Sequence, residues 1–165
     1  MKRLKVFFLV ILSATLFLGG CERETLSAEE MLCDICISLS MPVGQIYLSG
    51  SEEGSENFLT LDMADAMYGA EAEKVLSLVE DFAIYVSGVG APREAAVFRC
   101  YSRSDTDTVA ALCLERIDAI NVLLKDSGAA ELVSGAQVTL RGHYVVMLVT
   151  DDAEAAKDAV RSVFR

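Results

Sequence analysis

Cys33 and Cys36, separated by Asp34 and Ile35, are the residues whose types and spacing come nearest to chemistry in this chain. A Cys-x-x-Cys pair works as a dithiol when a helix N-terminus lowers one thiol pKa. It also supplies half of a zinc site. The surrounding sequence opposes both roles. Ser27-Ala28-Glu29-Glu30 reads as a capping box. Cys33 then falls about six residues past the cap, beyond the first turn where the helix dipole acts. Helical positions three apart hold their Cβ atoms ~5–6 Å apart, whereas a disulfide takes ~3.8 Å. A zinc site asks for about four ligands, and neither a second Cys-x-x-Cys nor a histidine pair occurs. The first expectation for Cys33 and Cys36 is a packed helix face; a thiol pair or disulfide is the second, a metal site the third.

The other reactive side chains have plain structural readings. Cys100 and Cys113 take inward positions on a strand and on the helix after it. They are expected as neighbours in the core, acting as small apolar residues, with a bridge between them as the alternative. His143 is the one histidine, beside the Arg141-Gly142 turn. A histidine base of the serine-hydrolase kind needs a nucleophile and an orienting carboxylate, and no Gly-x-Ser-x-Gly supplies the first. The carboxylate pairs Asp62 and Asp65, Asp105 and Asp107, and Asp151 and Asp152 fall where helices begin, as capping and the macrodipole favour. None has calcium-loop spacing. Gly88-Val89-Gly90 follows a strand but leads to Pro92 and another strand, which is not a phosphate loop. These residues give no catalytic constellation and no metal site.

Cys21 is different in kind. Lys2, Arg3 and Lys5 precede an apolar and small-residue run from Val6 to Leu18, and Leu18-Gly19-Gly20-Cys21 closes it. The run suits a signal h-region and is short of the ~20 residues that span a bilayer. The final tetrapeptide reads as a lipobox, whose cysteine receives a diacylglyceryl group before cleavage. The expected organisation is a signal peptide over 1–20, a lipid-anchored spacer over 21–26, and one extracytoplasmic domain over 27–165. Two acyl chains hold a protein on a membrane where one does so only marginally. The covalent diacylglycerol on Cys21 is the only cofactor-like group expected.

Charge narrows the partners. The chain has 14 basic and 25 acidic residues. Without Lys2, Arg3 and Lys5, 11 basic residues face the 25 acidic ones, a net charge of −14. Such a domain is repelled by nucleic acid and by anionic headgroups. The lipid must therefore do the holding, on the extracytoplasmic side of a cell membrane, with an envelope protein as the expected kind of partner.

The elements that must position these residues follow from periodicity. Met31, Leu32, Ile35, Cys36 and Leu39 are spaced as a helix, ended by Pro42 and Gly44. Residues 43–48 are apolar but ambiguous, and residues 50–56 form an acidic, glycine-containing loop. Leu59 to Tyr68 reads as a short helix stopped by Gly69, and Glu71 to Glu80 as another. Phe82–Ser87 and Ala95–Tyr101 read as a hairpin across residues 88–92, with Ala96, Phe98 and Cys100 on one face and Val97, Arg99 and Tyr101 on the other. Ser104 to Asp107 opens the longest helix, whose apolar stripe is Val109, Leu112, Cys113, Ile117, Ile120 and Leu124, with Gly128 beyond it. Ala136–Leu140 and His143–Thr150 form a second hairpin. The latter strand is apolar on both faces, as a central strand is. Asp151-Asp152-Ala153-Glu154 caps a final helix. Two hairpins, each followed by a helix, predict an α+β two-layer sandwich with an antiparallel sheet and helices on one side. An α/β doubly wound fold is the alternative.

From about Leu59 onward the chain resembles a bacterial lipoprotein family catalogued as domain of unknown function 4358. The resemblance rests on Met67-Tyr68-Gly69, on Ser87-Gly88-Val89-Gly90-Ala91 followed by Glu94 and an apolar strand, and on Gly142-His143-Tyr144. The family often carries a Tyr-Ala-Pro-like segment after the long helix; residues 124–130 here read Leu-Lys-Asp-Ser-Gly-Ala-Ala. The resemblance implies a lipoprotein and brings no activity, substrate or cofactor. The functional expectation is a lipid-anchored, non-enzymatic binding or interaction domain. A thiol-redox protein using Cys33 and Cys36 and a lipoprotein carrying a small ligand or metal are the alternatives.

Overall fold

The computed structural model describes residues 26–88, 92–125 and 129–165. The segment expected as a signal peptide and Cys21 lie outside them, as do residues 89–91 and Gly128. In chain order the elements are α1 (Ala28–Ser38), β1 (Gly44–Leu48), α2 (Leu61–Tyr68), α3 (Ala72–Leu76), β2 (Val79–Ser87), β3 (Glu94–Cys100), α4 (Thr106–Lys125), β4 (Gln137–Arg141), β5 (Tyr144–Val149) and α5 (Ala153–Val163). Short 3₁₀ turns at Arg103–Asp105 and Ala130–Val133 flank α4.

The strands form one antiparallel sheet in the order β1-β2-β3-β5-β4. Both expected hairpins are present, β2 with β3 and β4 with β5. The second turns over Gly142-His143, because Arg141 pairs with Tyr144. Gly142 has φ +63, the sign that the first central position of a type II′ turn requires. The ambiguous stretch at 43–48 is the edge strand β1. Its Gly44 leaves room for the Tyr85 ring, which a Cβ there would strike, and the Tyr85 hydroxyl donates to the Pro42 carbonyl at 2.6 Å.

The α+β sandwich is as expected, but its helices cover both faces of the sheet rather than one. Ile84, Ala96, Phe98, Cys100, Met147 and Val149 pack with α2, α3 and α4. Ala83, Tyr85, Ala95, Val97, Val146 and Leu148 pack with α1 and α5. The reason is written in β3 and β5, which are apolar at every position but Glu94 and Arg99 and Tyr144. A strand buried on both faces needs cover on both. The helix expected over residues 71–80 is also shorter. It is α3, and Val79 and Glu80 already belong to β2, where an irregularity between Val79 and Asp81 shifts the register against β3.

Caps agree with the sequence. Ser27 Oγ accepts from Glu30 N–H at 3.2 Å and Glu30 Oε2 accepts from Ser27 N–H at 2.9 Å, the reciprocal box that satisfies two orphan donors. Thr60 caps α2 and Asp152 caps α5. Gly69 closes α2 at φ +85. The Tyr144 hydroxyl donates to the Leu26 carbonyl at 3.0 Å, which ties the start of α1 to the sheet. Among the described residues, no helix is long and apolar enough to cross a membrane.

Candidate functional site

Three side chains from three elements meet at one end of β3. Glu94, the first residue of that strand, is buried, with 2% of its surface exposed. Arg116 reaches it from α4. Its Nη2–H donates to Glu94 Oε2 at 2.8 Å and its Nε–H to the same oxygen at 3.1 Å. A longer contact, 3.3 Å, joins Nε to Oε1. Tyr68, at the end of α2, directs its hydroxyl to Glu94 Oε1 at 3.5 Å, the outer limit of a hydrogen bond. Its ring meets Phe98 edge-on, with centroids 6.2 Å apart.

The local sequence accounts for the meeting. Glu94 shares the alternation of Ala96, Phe98 and Cys100, so it faces the same core as they do. Arg116 falls between Cys113 and Ile117 and Ile120, on the apolar stripe of α4. Each charge would be costly there alone. Together they form a charge-assisted, forked pair. Burial pushes the Glu94 carboxyl above the ordinary carboxylate range, and Arg116 and Tyr68 pull it part of the way back. Desolvation lowers the Arg116 guanidinium, but the hydrogen bonds and charge of Glu94 outweigh it and leave it raised. Burial, followed by the Glu94 charge, sends the Tyr68 phenol well above its usual value.

The pair opens onto a cleft of about 410 Å³. The end of the first hairpin forms one wall, including Val86, Ser87 and Arg93. The C-terminal half of α4 forms the other, through Ile120, Leu123 and Leu124, with Leu132 closing the side. Most of this lining is apolar. Ser87 supplies a hydroxyl, and its Oγ accepts from Arg93 N–H at 3.1 Å. The Arg93 guanidinium turns away to Asp151, at 2.8 Å.

No family model, curated protein or solved structure matches this chain.

The residues singled out from sequence are distributed rather than gathered. Cys33 and Cys36 lie on α1, on the opposite side of the sheet from Glu94, and line a separate, largely apolar groove with Leu32, Ile37, Met41 and Ile46. Cys33 is exposed and Cys36 half-buried, and both are free thiols. Burial, with the neighbouring Cys33 thiol adding to it, pushes Cys36 up to about 11. A thiol so raised is protonated at neutral pH and is a poor nucleophile. Cys100 and Cys113 are free and buried in the core shared with Phe98. Burial and then Asp105 push Cys100 up to about 11. Burial, Glu94 and Cys100 push Cys113 higher still.

His143 is the length of β5 away from Glu94, in the hairpin turn, with Nδ1 3.3 Å from the Cys100 carbonyl. Asp62 and Asp107 stand in the first turns of α2 and α4, and Asp105 in the 3₁₀ turn before α4. Asp65 is inside α2, not at its start. Asp151 is taken by Arg93 and Asp152 by the α5 cap. Among the described residues, no three His, Cys, Asp or Glu side chains are grouped to hold a metal ion. Of the residues carrying the family resemblance, Tyr68 and Glu94 do come together. Arg116 completes their cluster and is the residue that the sequence reading missed.

These exposures fix an order of thiol reactivity. Iodoacetamide added to the native protein at about pH 8 is expected to label Cys33 first and Cys36 more slowly, because only the thiolate reacts. Cys100 and Cys113 should label only after denaturant is added. Peptide mass spectrometry over time reads the order. Labelling of Cys113 as fast as Cys33 would contradict the packing of α4 on the sheet.

Proposed function

We propose that this chain is a lipid-anchored extracytoplasmic lipoprotein whose domain binds a ligand in the α4 cleft without turning it over. The lipobox at Cys21 and the resemblance to the lipoprotein family support the anchored half of this reading. The observation that carries the binding half is that Glu94, among the described residues the only buried carboxylate beside the cleft, is already paired. Glu94 is spent on Arg116, as a structural counter-ion is, rather than poised against a nucleophile or a second acid. A cleft with mostly apolar walls and a few convergent polar groups is a usual form of a small-molecule site.

The thiol-redox alternative gains less from the geometry. Cys36 is held as a thiol, and helical positions three apart place Cys33 at a spacing unsuited to a bridge. The test is a broad hydrolase and transferase panel run on the lipidated protein purified from its membrane. The expected result is no turnover that responds to Glu94→Gln, together with a non-covalent adduct in native mass spectrometry. Turnover abolished by Glu94→Gln in protein that circular dichroism shows to be still folded would overturn the reading, since Glu94 would then act in a reaction.

A further inference from the structure

The proposed binding role leaves open what chemistry the cleft recognises, and the donors of Arg116 narrow it. A guanidinium carries five N–H donors in one plane. Glu94 receives the Nε–H and one N–H of Nη2. Among the described residues, nothing accepts from Nη1 or from the second Nη2 N–H. The Arg116 side chain is 16% exposed and lines the cleft. Spare donors of a guanidinium held by Glu94 therefore belong to the lining of a mostly apolar groove.

Charge decides what they would receive. Glu94 neutralises Arg116, and Asp151 neutralises Arg93. The cleft thus offers an anion little net Coulomb attraction, and the acidic domain around it is repulsive. A cation fares no better, because the Glu94 carboxylate is 2% exposed and already bonded. A neutral acceptor oxygen escapes both penalties. It can take hydrogen bonds from the guanidinium edge while the pair stays intact, and these are stronger than neutral ones because the donor is charged. The walls supply the remaining selection. Val86, Ile120, Leu123, Leu124 and Leu132 present aliphatic surface along the groove, and burial of apolar area favours a bound hydrocarbon chain.

We infer that the cleft binds an uncharged acyl compound, an amide or an ester, with its carbonyl oxygen on the free Arg116 N–H groups and its hydrocarbon along α4. This inference rests on the cleft being a binding site at all. The cleft volume of about 410 Å³ holds a medium-length acyl group.

The experiment compares octanamide, octanoate and octylammonium on the full lipidated chain in phosphatidylcholine nanodiscs. Each compound's affinity is read from the concentration dependence of the protein's thermal midpoint. Octanamide is expected to raise the midpoint, and to bind at least about tenfold more tightly than either charged analogue. Leu123→Asp alters a side chain that is 74% exposed, so the fold should survive while the octanamide effect is lost. The unmodified chain should also bind octanamide more tightly than octan-1-ol, and the paired variant Glu94→Met with Arg116→Met, which retains the apolar walls, should erase that difference. If octanoate binds most tightly, and Leu123→Asp abolishes it, the neutral-acceptor inference falls while the binding reading stands. If no compound shifts the midpoint, the inference is overturned. If turnover dependent on Glu94 appears instead, both are.

Discussion

Arg116→Ala is expected to destabilise the domain by about 3–5 kcal/mol at neutral pH, the range for removing one partner of a buried ion pair. The loss comes from what is left behind. Glu94, 2% exposed, would lose the guanidinium that offsets the desolvation of its carboxylate, and the Tyr68 hydroxyl at 3.5 Å is too distant to replace it. Domains are stable by only about 5–15 kcal/mol, so the variant is near the edge of folding. The pH dependence identifies the cause. Glu94 already has a folded-state pKa raised by burial, and without Arg116 it rises further. A carboxyl raised on folding binds its proton more tightly in the native state. Its contribution is therefore intact below the ordinary glutamate range and is lost as pH rises through the folded pKa. The Arg116→Ala deficit should accordingly shrink on acidification, because a protonated Glu94 needs no counter-ion. Urea unfolding at about pH 7 and again at about pH 4.5 measures it. Glu94→Leu combined with Arg116→Met should recover most of the stability, since a well-packed apolar pair often equals a buried ionic one. A loss under about 1 kcal/mol that ignores pH would mean that Glu94 and Arg116 are wetter than their burial indicates.

The same two residues show what the sequence disclosed and what it withheld. The alternation of Ala96, Phe98 and Cys100 correctly gave the face of β3 that meets α4. Carried two positions back, it placed Glu94 on that inward face as well. Position 116 falls on the same side of α4 as Cys113, Ile117 and Ile120, although the stripe read from the sequence left it out. A charge on each of two facing apolar tracks, opposite in sign, was thus legible in principle. What the sequence lacked was the offset between the tracks: periodicity puts residues on faces but does not say which point of α4 lies over the start of β3. The layer count failed for a similar reason. β5 read as buried on both sides, yet the side of the sheet taken by α1 depends on tertiary packing of Met31, Leu32 and Ile35, not on local pattern. β1 was ambiguous because its residues are exposed or half-exposed at an edge, where alternation is weak. The caps at Ser27 and Asp152, and the Gly142 turn, were legible because each satisfies or bends the backbone within a few residues of itself.

Cys21→Ala is expected to abolish incorporation of an alkyne-tagged palmitate analogue into the chain. In a version with a leader that ordinary signal peptidase removes, it should also move the protein from the envelope-lipid fraction to the soluble one. The forces available to hold the domain make this a near-complete change rather than a partial one. Hydrocarbon burial contributes ~0.8 kcal/mol per methylene, and a second chain turns marginal attachment into stable anchoring. Electrostatics cannot substitute. The net charge, −11 for the whole chain, opposes approach to anionic headgroups, and no helix among the described residues is long and apolar enough to cross a membrane. The structure adds a geometric condition. Tyr144 fastens the Leu26 carbonyl to the sheet, so only the four residues 22–25 separate the proposed lipid site from that fixed point. At ~3.3 Å per residue, a chain lipidated at Cys21 would have its domain within roughly 20 Å of the membrane. Lengthening it by an inserted flexible segment should leave fractionation unchanged, since the anchor alone holds the chain. Retention of an unlabelled, leader-free Cys21→Ala protein in the lipid fraction would show that a protein partner, not acyl chains, keeps it there.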